Sequence, residues 1–323
     1  MNAIEAKNIN KTFKSGNKSI NVLKDINLEV EHGDFFALIG LNGAGKTTLI
    51  RILSNILLPD SGELLINGMT YSKNERIIKN KIGVFIGSEH SLYGRLTAME
   101  NLNFFASFYN ISSKNNQKLL KERMFYLLKL LNLFERKDSL VETYSKGMKQ
   151  KLLIAKALLH NPDIIILDEP SNGVDVVSNL EIKKFLIKVN AEENKTIILT
   201  THNLTDAEDL CNKLCILQEG RVVENGIFKD VYKKYFNDTV ISILLKNSIS
   251  ENKYKEIINL KNVDRVQYVK NNNGYLYEIV TKKDSSTINI GEFINMINMD
   301  DIISISEKKI TLEYVISHLI EKV

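Results

Sequence analysis

Apolar and polar residues alternate over residues 3–13 and through "INLEVEHGDFFALIG" (26–40), so residues 3–13 and 20–39 are expected to be rich in β-structure. The alternation gives way to the continuous run "FFALIG" (35–40), the pattern of a strand buried on both faces. A helix is predicted from about Lys46 to Leu57, stopped by Pro59 and the turn "PDSG". Strands return in "ELLING" (63–68) and "KIGVFI" (81–86). From Leu96 to His160 the period becomes helical. Thr97 and Glu100 form a capping-box pattern ahead of "NLNFFASFY", and "QKLLKERMFYLLKLLNLF" and "GMKQKLLIAKALLH" supply two further helices, the last ending at Asn161–Pro162. Then come a buried strand "DIIILD" (163–168), a helix near 177–193, the strand "TIILTT" (196–201), a short helix, and a strand pair in "KLCILQEGRVVENG" (213–226). Strands alternating with helices predict an α/β core with a mostly parallel sheet, a β-rich N-terminal part, and a helical subdomain at about 96–160.

Beyond about residue 237 the pattern changes to β-α-β-β-α-β, ending in the helix "LEYVISHLIEKV". That order predicts a small α+β domain of the ferredoxin-like, split βαβ type. The expected division is therefore 1–236 and 237–323, in keeping with a chain of 323 residues. No catalytic cluster stands out in the second part, which reads as a regulatory or dimerisation appendage.

Composition narrows the function classes. Hydrophobic residues make up 44% and charged residues 25%, the balance of a soluble globular protein. A net charge of +4 without a basic stripe speaks against a nucleic-acid partner. The run "IIIL" (164–167) is far below the roughly 20 apolar residues of a membrane span. "MNAIEAKNIN" lacks the basic and apolar regions of a signal peptide, so a location in the cytoplasm or on the cytoplasmic face of the membrane is expected. Cys211 and Cys215 read as small apolar residues rather than a disulfide or zinc pair.

The chemistry is concentrated in "GLNGAGKTTL" (40–49), which spends three of the chain's 16 glycines on ten positions. Strand before and helix after are the setting of a phosphate-binding loop. Gly40, Gly43 and Gly45 leave the backbone bare, so that N–H groups can cradle phosphate oxygens at the positive end of the following helix. Lys46 supplies a charge to the β- and γ-phosphates, and the Thr47 hydroxyl is placed to ligate Mg²⁺. In "IIILDEP" (164–170), Asp168 and Glu169 end a buried strand, where carboxylates need a metal or a proton. Asp168 is expected to hold Mg²⁺ through its water shell, and Glu169 to act as general base toward water. "YSKGMKQK" (144–151) places a serine and a glycine at a helix start, which is either an ordinary N-cap or a second anion site.

Taken in order, "GLNGAGKTT", "YSKGMKQ", "IIILDEP", "SNGVD" and "TTH" resemble the motifs of ATP-binding cassette (ABC) ATPases over roughly residues 1–226. The resemblance implies a P-loop NTPase fold, with ATP held by Gly40, Leu41, Asn42, Gly43, Ala44, Gly45, Lys46, Thr47 and Thr48. It also implies a head-to-tail homodimer sandwiching two ATP molecules, in which Ser145, Gly147 and Gln150 face the P-loop of the other subunit. Asp175 matches the aspartate at the subunit junction, His202 the histidine that contacts the γ-phosphate, and Phe13 the ring that stacks on adenine. The chain departs from the family at Lys146, at Val176, and at Ser88, which occupies a glutamine position in "VFIGSEHSLYGRLTAMENL". A water held by Ser88 or Glu89 is expected to replace the glutamine oxygen, with Tyr93 among the contacts to a membrane partner. Similar glutamine-free loops, and C-terminal ends like "TLEYVISHL", occur in bacterial exporter ATPases. The resemblance thus implies ATP hydrolysis driving export through a separate transmembrane permease subunit. The alternatives are an importer ATPase, or a non-transport member acting on ribosomes or DNA.

Overall fold

The computed structural model describes the chain apart from residues 1, 17, 88–90, 110–116, 237–239, 261–262, 272–273, 282–295, 309–310 and 322–323. The alternating N-terminal segments form β1 (Asn2–Ser15) and β2 (Lys18–Glu31), an antiparallel pair, followed by β3 (Phe35–Gly40). Ile4 and Ala6 face inward from β1, and Ile9 does so too although the alternation should turn it outward. The register slips between Ala6 and Ile9, where Asn8 adopts φ 50°, so a bulge returns the apolar set to the core.

Helix α1 (Lys46–Leu53) is shorter than predicted. It closes because Asn55 turns left-handed (φ 55°) and the N–H groups of Ile56 and Leu57 both return to the Arg51 carbonyl at 2.8 and 3.0 Å. Next come β4 (Ser61–Ile66), β5 (Met69–Thr70), α2 (Tyr71–Lys81) and β6 (Ile82–Ile86). β1, β2, β4 and β5 make an antiparallel sheet in the order β2-β1-β4-β5.

The helical subdomain contains α3 (Ala98–Ala106), α4 (Gln117–Leu130) and α5 (Lys146–Ala157). The capping box at α3 is formed as predicted, with Glu100 N–H donating to the Thr97 hydroxyl at 3.2 Å and Thr97 N–H to the Glu100 carboxylate at 2.7 Å. α5 stops at Ala157, short of His160.

The chain then lays down β7 (Ile164–Asp168), α6 (Val176–Glu193), β8 (Thr196–Thr200), α7 (Leu204–Leu210), β9 (Lys213–Gln218) and β10 (Arg221–Ile227). Six strands form one sheet in the order β10-β9-β3-β8-β7-β6, parallel except for the β10/β9 hairpin. Phe36, Leu38, Ile164, Ile166 and Ile198 are fully buried, as continuous apolar strands of a parallel sheet require. They share one core with Ile4, Leu28 and the apolar face of α1. This is the α/β fold with a mostly parallel sheet that the pattern predicts.

Contacts divide the chain into Met1–Phe228 and Lys229–Val323, a division at the start of α8 (Phe228–Phe236) and ahead of the expected 236/237. The second unit contains β11 (Val240–Leu245), α9 (Glu251–Ile258), β12 (Val263–Asn271), β13 (Gly274–Thr281), β14 (Ile302–Lys308) and α10 (Leu312–Glu321). Its strands lie in the antiparallel order β12-β13-β11-β14, the arrangement of a split βαβ unit, around Ile241, Ile243, Ile257, Val266 and Tyr277. The helix expected over "IGEFINMIN" falls largely outside the described residues.

Candidate nucleotide site

The loop joining β3 to α1 uses its glycines for different physical reasons. A Cβ at Gly40 would lie 2.3 Å from the Leu217 carbonyl oxygen of β9, so packing of the sheet, not a ligand, demands glycine there. Gly45 adopts φ 105° at the N-cap of α1, where a Cβ would meet Leu23 at 2.8 Å and the Val22 carbonyl at 3.0 Å. Gly43 adopts φ 82° with nothing within 4 Å of a Cβ, so left-handed backbone, not packing, favours glycine there, and the space beside it is open. Gly45 supplies no side-chain cap, and the first N–H groups of α1 are left to an anion.

Lys46, buried at the start of α1, folds back over the loop and donates to the carbonyls of Gly40 (2.7 Å) and Leu41 (3.1 Å). Burial pushes its pKa down, and the charges of Glu169 and Asp168 act in the opposite sense. Thr47, Arg51, Gly87, Lys146, Gln150, Asp168 and Glu169 are among the residues lining a cavity of about 440 Å³. Leu41 and Asn42 are exposed on the loop, Ala44 is held by the Gly220 N–H at 3.1 Å, and Thr48 is half-buried.

The acids are fixed by the neighbouring strand. Asp168 of β7 lies opposite Thr200 of β8, whose hydroxyl donates to Asp168 Oδ1 at 2.5 Å. The same hydroxyl accepts the Glu169 N–H at 3.0 Å, and the Thr200 carbonyl accepts it at 3.2 Å. Glu169 itself sits in left-handed backbone, φ 51°, a conformation that glutamate rarely takes. Asn172 donates to Glu169 Oε2 at 3.1 Å, and His202 Nδ1 lies 3.4 Å from the same oxygen. Oriented carboxylates and Thr47 of the α1 terminus thus share one cavity, with the neighbouring Lys46 drawn back onto the loop carbonyls (chemistry suited to a bound triphosphate and a water).

A second group gathers at the starts of α5 and α6. Ser145 caps α5, accepting the Met148 N–H at 3.2 Å, which is the ordinary N-cap role. Asp175 caps α6, accepting the Ser178 N–H at 2.9 Å; that hydrogen bond holds its carboxyl below the usual range. Gly147 packs between them, since a Cβ would lie 2.3 Å from Ser178 Oγ and 2.9 Å from Asp175 Oδ2. Gln150 is buried and donates to the Pro170 carbonyl of its own chain at 2.9 Å, bracing the turn after Glu169. Lys146 lies across Gly173, where a Cβ would be 2.1 Å from its Nζ. Phe13 stands exposed on β1, with Lys11 Nζ 5.7 Å from its ring centroid. Ser88 and Glu89 lie outside the described residues. The residue-type pattern overlooks Thr200 and Asn172; pairing "DIIILD" against "TIILTT" in parallel register is the signal that reveals Thr200.

A phosphate loop beside a strand-end acid pair and a histidine defines a P-loop nucleotide hydrolase. Residues 23–172 match the ABC transporter family model. The chain is 34% identical over 221 residues to "ABC transporter ATP-binding protein NatA" of Bacillus subtilis, spanning 68% of this chain and 88% of that protein. It is 34% identical to "Linearmycin resistance ATP-binding protein LnrL" of the same species, over 74% of each chain. It is 31% identical over 300 residues to "Methionine import ATP-binding protein MetN 1" of Oenococcus oeni, covering 87% of this chain and 83% of that one. A solved ATP-binding subunit of an ABC transporter matches with TM-score 0.63 and 31% identity, over 72% of this chain and 93% of its own. A dimeric ATP-binding cassette solved in a post-hydrolysis state with ADP and Pi matches with TM-score 0.63 and 28% identity, over 69% and 98%. This chain belongs to the family of ABC transporter ATP-binding proteins and is an ATPase.

Proposed function

We propose that this chain is the ATP-hydrolysing subunit of an exporter, working as a head-to-tail dimer on a separate transmembrane subunit at the inner face of the membrane. The observation that carries the chemistry is Glu169, held in left-handed backbone by Thr200 with His202 3.4 Å away. Lys46 exchanges the carbonyls of Gly40 and Leu41 for the β- and γ-phosphates, while the N–H groups of residues 43–48 close around them. Glu169 takes a proton from the attacking water, and His202 contacts the γ-phosphate and keeps the glutamate oriented. Phe13 stacks on the adenine. The donors available to a metal, the Thr47 hydroxyl and the free oxygen of Asp168, are hard oxygens that fit Mg²⁺. Among the described residues no cluster of three or more His, Cys, Asp or Glu could cage a metal alone, so its remaining ligands would be phosphate oxygens and water. Mg²⁺ would supply charge neutralisation at the phosphates.

Support for the dimer comes from the start of α6. Beside Asp175, the apolar Val176, Val177 and Leu180 are 76%, 66% and 50% exposed, with Ser145 exposed on α5. A second copy that presented its P-loop here would cover them. A separate membrane partner is in keeping with the described residues, where no helix is long and apolar enough to cross a membrane. Export is supported by the relative named for linearmycin resistance and by the tail sequence "TLEYVISHL". The alignment over 300 residues with a methionine import protein favours import as the second reading. Proteoliposomes holding the complex with the ATPase facing outward separate the two. External ATP should load the lumen if the complex exports, whereas emptying of a preloaded lumen would overturn export in favour of import.

A further inference from the structure

Asp206 is a buried carboxylate, 3% exposed, that the chemistry above does not use. It lies in the first turn of α7, four residues after His202. Its Oδ2 accepts the hydroxyl of Ser171, two residues after Glu169, at 3.1 Å. Its Oδ1 receives Lys183 Nζ of α6 at 2.6 Å, and Lys183 also reaches Asp209 at 3.1 Å. Asn203 caps the same turn, accepting the N–H groups of Thr205 and Asp206. One carboxylate therefore joins the loop after Glu169, the helix that starts at Asp175, and the helix that follows His202.

We propose that Asp206 is a positioning residue for hydrolysis, fixing the separation of Glu169 and His202 by tying together the segments that carry them. The proposal rests on the assignment of Glu169 and His202 to the reaction. A buried ion pair is a poor source of stability, because desolvation offsets much of its attraction. What it supplies here is register, since two donors from different elements need two acceptor oxygens in one place. Asparagine at 206 has the same shape but no charge and a single acceptor: with its oxygen on Lys183, its N–H₂ faces the Ser171 hydroxyl, which must turn round to accept instead of donate. The charge-assisted tie to Lys183 becomes a neutral one, and the turn after Glu169 is held less firmly against α6 and α7. Misplacement of a reacting group by about 1 Å can cost about a hundredfold in rate.

The test compares Asp206→Asn, Ser171→Ala and Asp206→Glu with the parent for ATPase kcat and for ATP affinity, with Glu169→Gln assayed in parallel. Asp206→Asn is expected to lower kcat about ten- to a hundredfold while ATP affinity stays within about threefold. Ser171→Ala should move kcat the same way by less, and Asp206→Glu, which restores both acceptors, should recover part of it. Ser171→Ala removes only a hydroxyl from a half-buried loop residue, so it carries the test if Asp206→Asn fails to fold. Parental kcat in Asp206→Asn and Ser171→Ala, beside loss of turnover in Glu169→Gln, overturns the proposal alone. A loss of ATP affinity as large as the loss of kcat overturns it too, because it marks a general structural role. Parental turnover in Glu169→Gln removes the base assignment, and this proposal with it.

Discussion

Replacing Thr200 by valine tests how the two acids are held. Valine keeps the shape of a side chain that is fully buried on β8, but removes the one hydroxyl shared by Asp168 and Glu169. Asp168 loses a hydrogen bond to a charged group, about 1.5–3 kcal/mol, and Glu169 N–H loses a neutral one, about 0.5–1.5 kcal/mol. The second loss is cushioned, because the Thr200 carbonyl stays 3.2 Å from the same N–H. Stability should therefore fall by roughly 2–4 kcal/mol. The left-handed backbone of Glu169 stores roughly 1–3 kcal/mol of strain, so the weakened anchor leaves that turn free to relax. Turnover should drop by at least about tenfold as Glu169 leaves the water's path. Thr200→Ser keeps the hydroxyl and should hold most of the turnover. The chain has no tryptophan, so urea unfolding is followed by far-UV circular dichroism, beside a phosphate-release assay. Thr200→Val with parental stability and parental kcat would refute the claim that this hydroxyl organises the site.

Lys46→Ala should weaken ATP binding and abolish turnover, whereas Glu169→Gln should bind ATP and leave it uncleaved; nucleotide titration with phosphate release checks both. With Glu169→Gln, ATP and Mg²⁺ should convert monomers to dimers in sizing experiments, and adding Ser145→Arg should prevent the conversion. His160, stacked on Tyr109 at 3.9 Å and bonded to the Ile82 carbonyl, has its pKa pushed down to about 4 by burial, with Arg123 and Lys195 adding to the effect. Below the ordinary value of 6.5 the unfolded chain takes a proton that the folded chain refuses, so stability falls as pH drops from 6.5 toward 4. The fall attributable to His160 is about 3 kcal/mol, and His160→Gln should flatten the urea-midpoint profile over that window.

The strands of the parallel sheet are legible in the sequence because burial on both faces writes continuous apolar runs, and "FFALIG", "DIIILD" and "TIILTT" all land on β3, β7 and β8. α2 escapes the pattern. Its "YSKNERIIKNK" buries only Ile78 and is interrupted at Asn74, so no apolar stripe of helical period exists to be read. The ends of α1 and α5 are misplaced because leucines and isoleucines continue past the last helical residue, where local backbone turns, not side-chain polarity, stop the helix. At the site, lysine, glycines and acids are visible as residue types. Gly40 is not separable from Gly43 by composition, since the approach of the Leu217 carbonyl at one and the left-handed backbone at the other tell them apart. Thr200, Gln150 and Asp206 act through partners 20 to 35 residues away in sequence, and no local pattern reports such pairings.

The left-handed backbone at Glu169 has a consequence for selection. Glycine adopts this conformation without strain, and asparagine tolerates it better than glutamate, as Asn8, Asn55 and Asn194 do elsewhere in the chain. A screen for heat-resistant variants would therefore be drawn toward glycine or asparagine at 169, improving the scaffold while discarding the carboxylate proposed as general base. Directed evolution of a hardier subunit needs an activity filter at this codon above all others, because here thermal tolerance and hydrolysis pull in opposite directions.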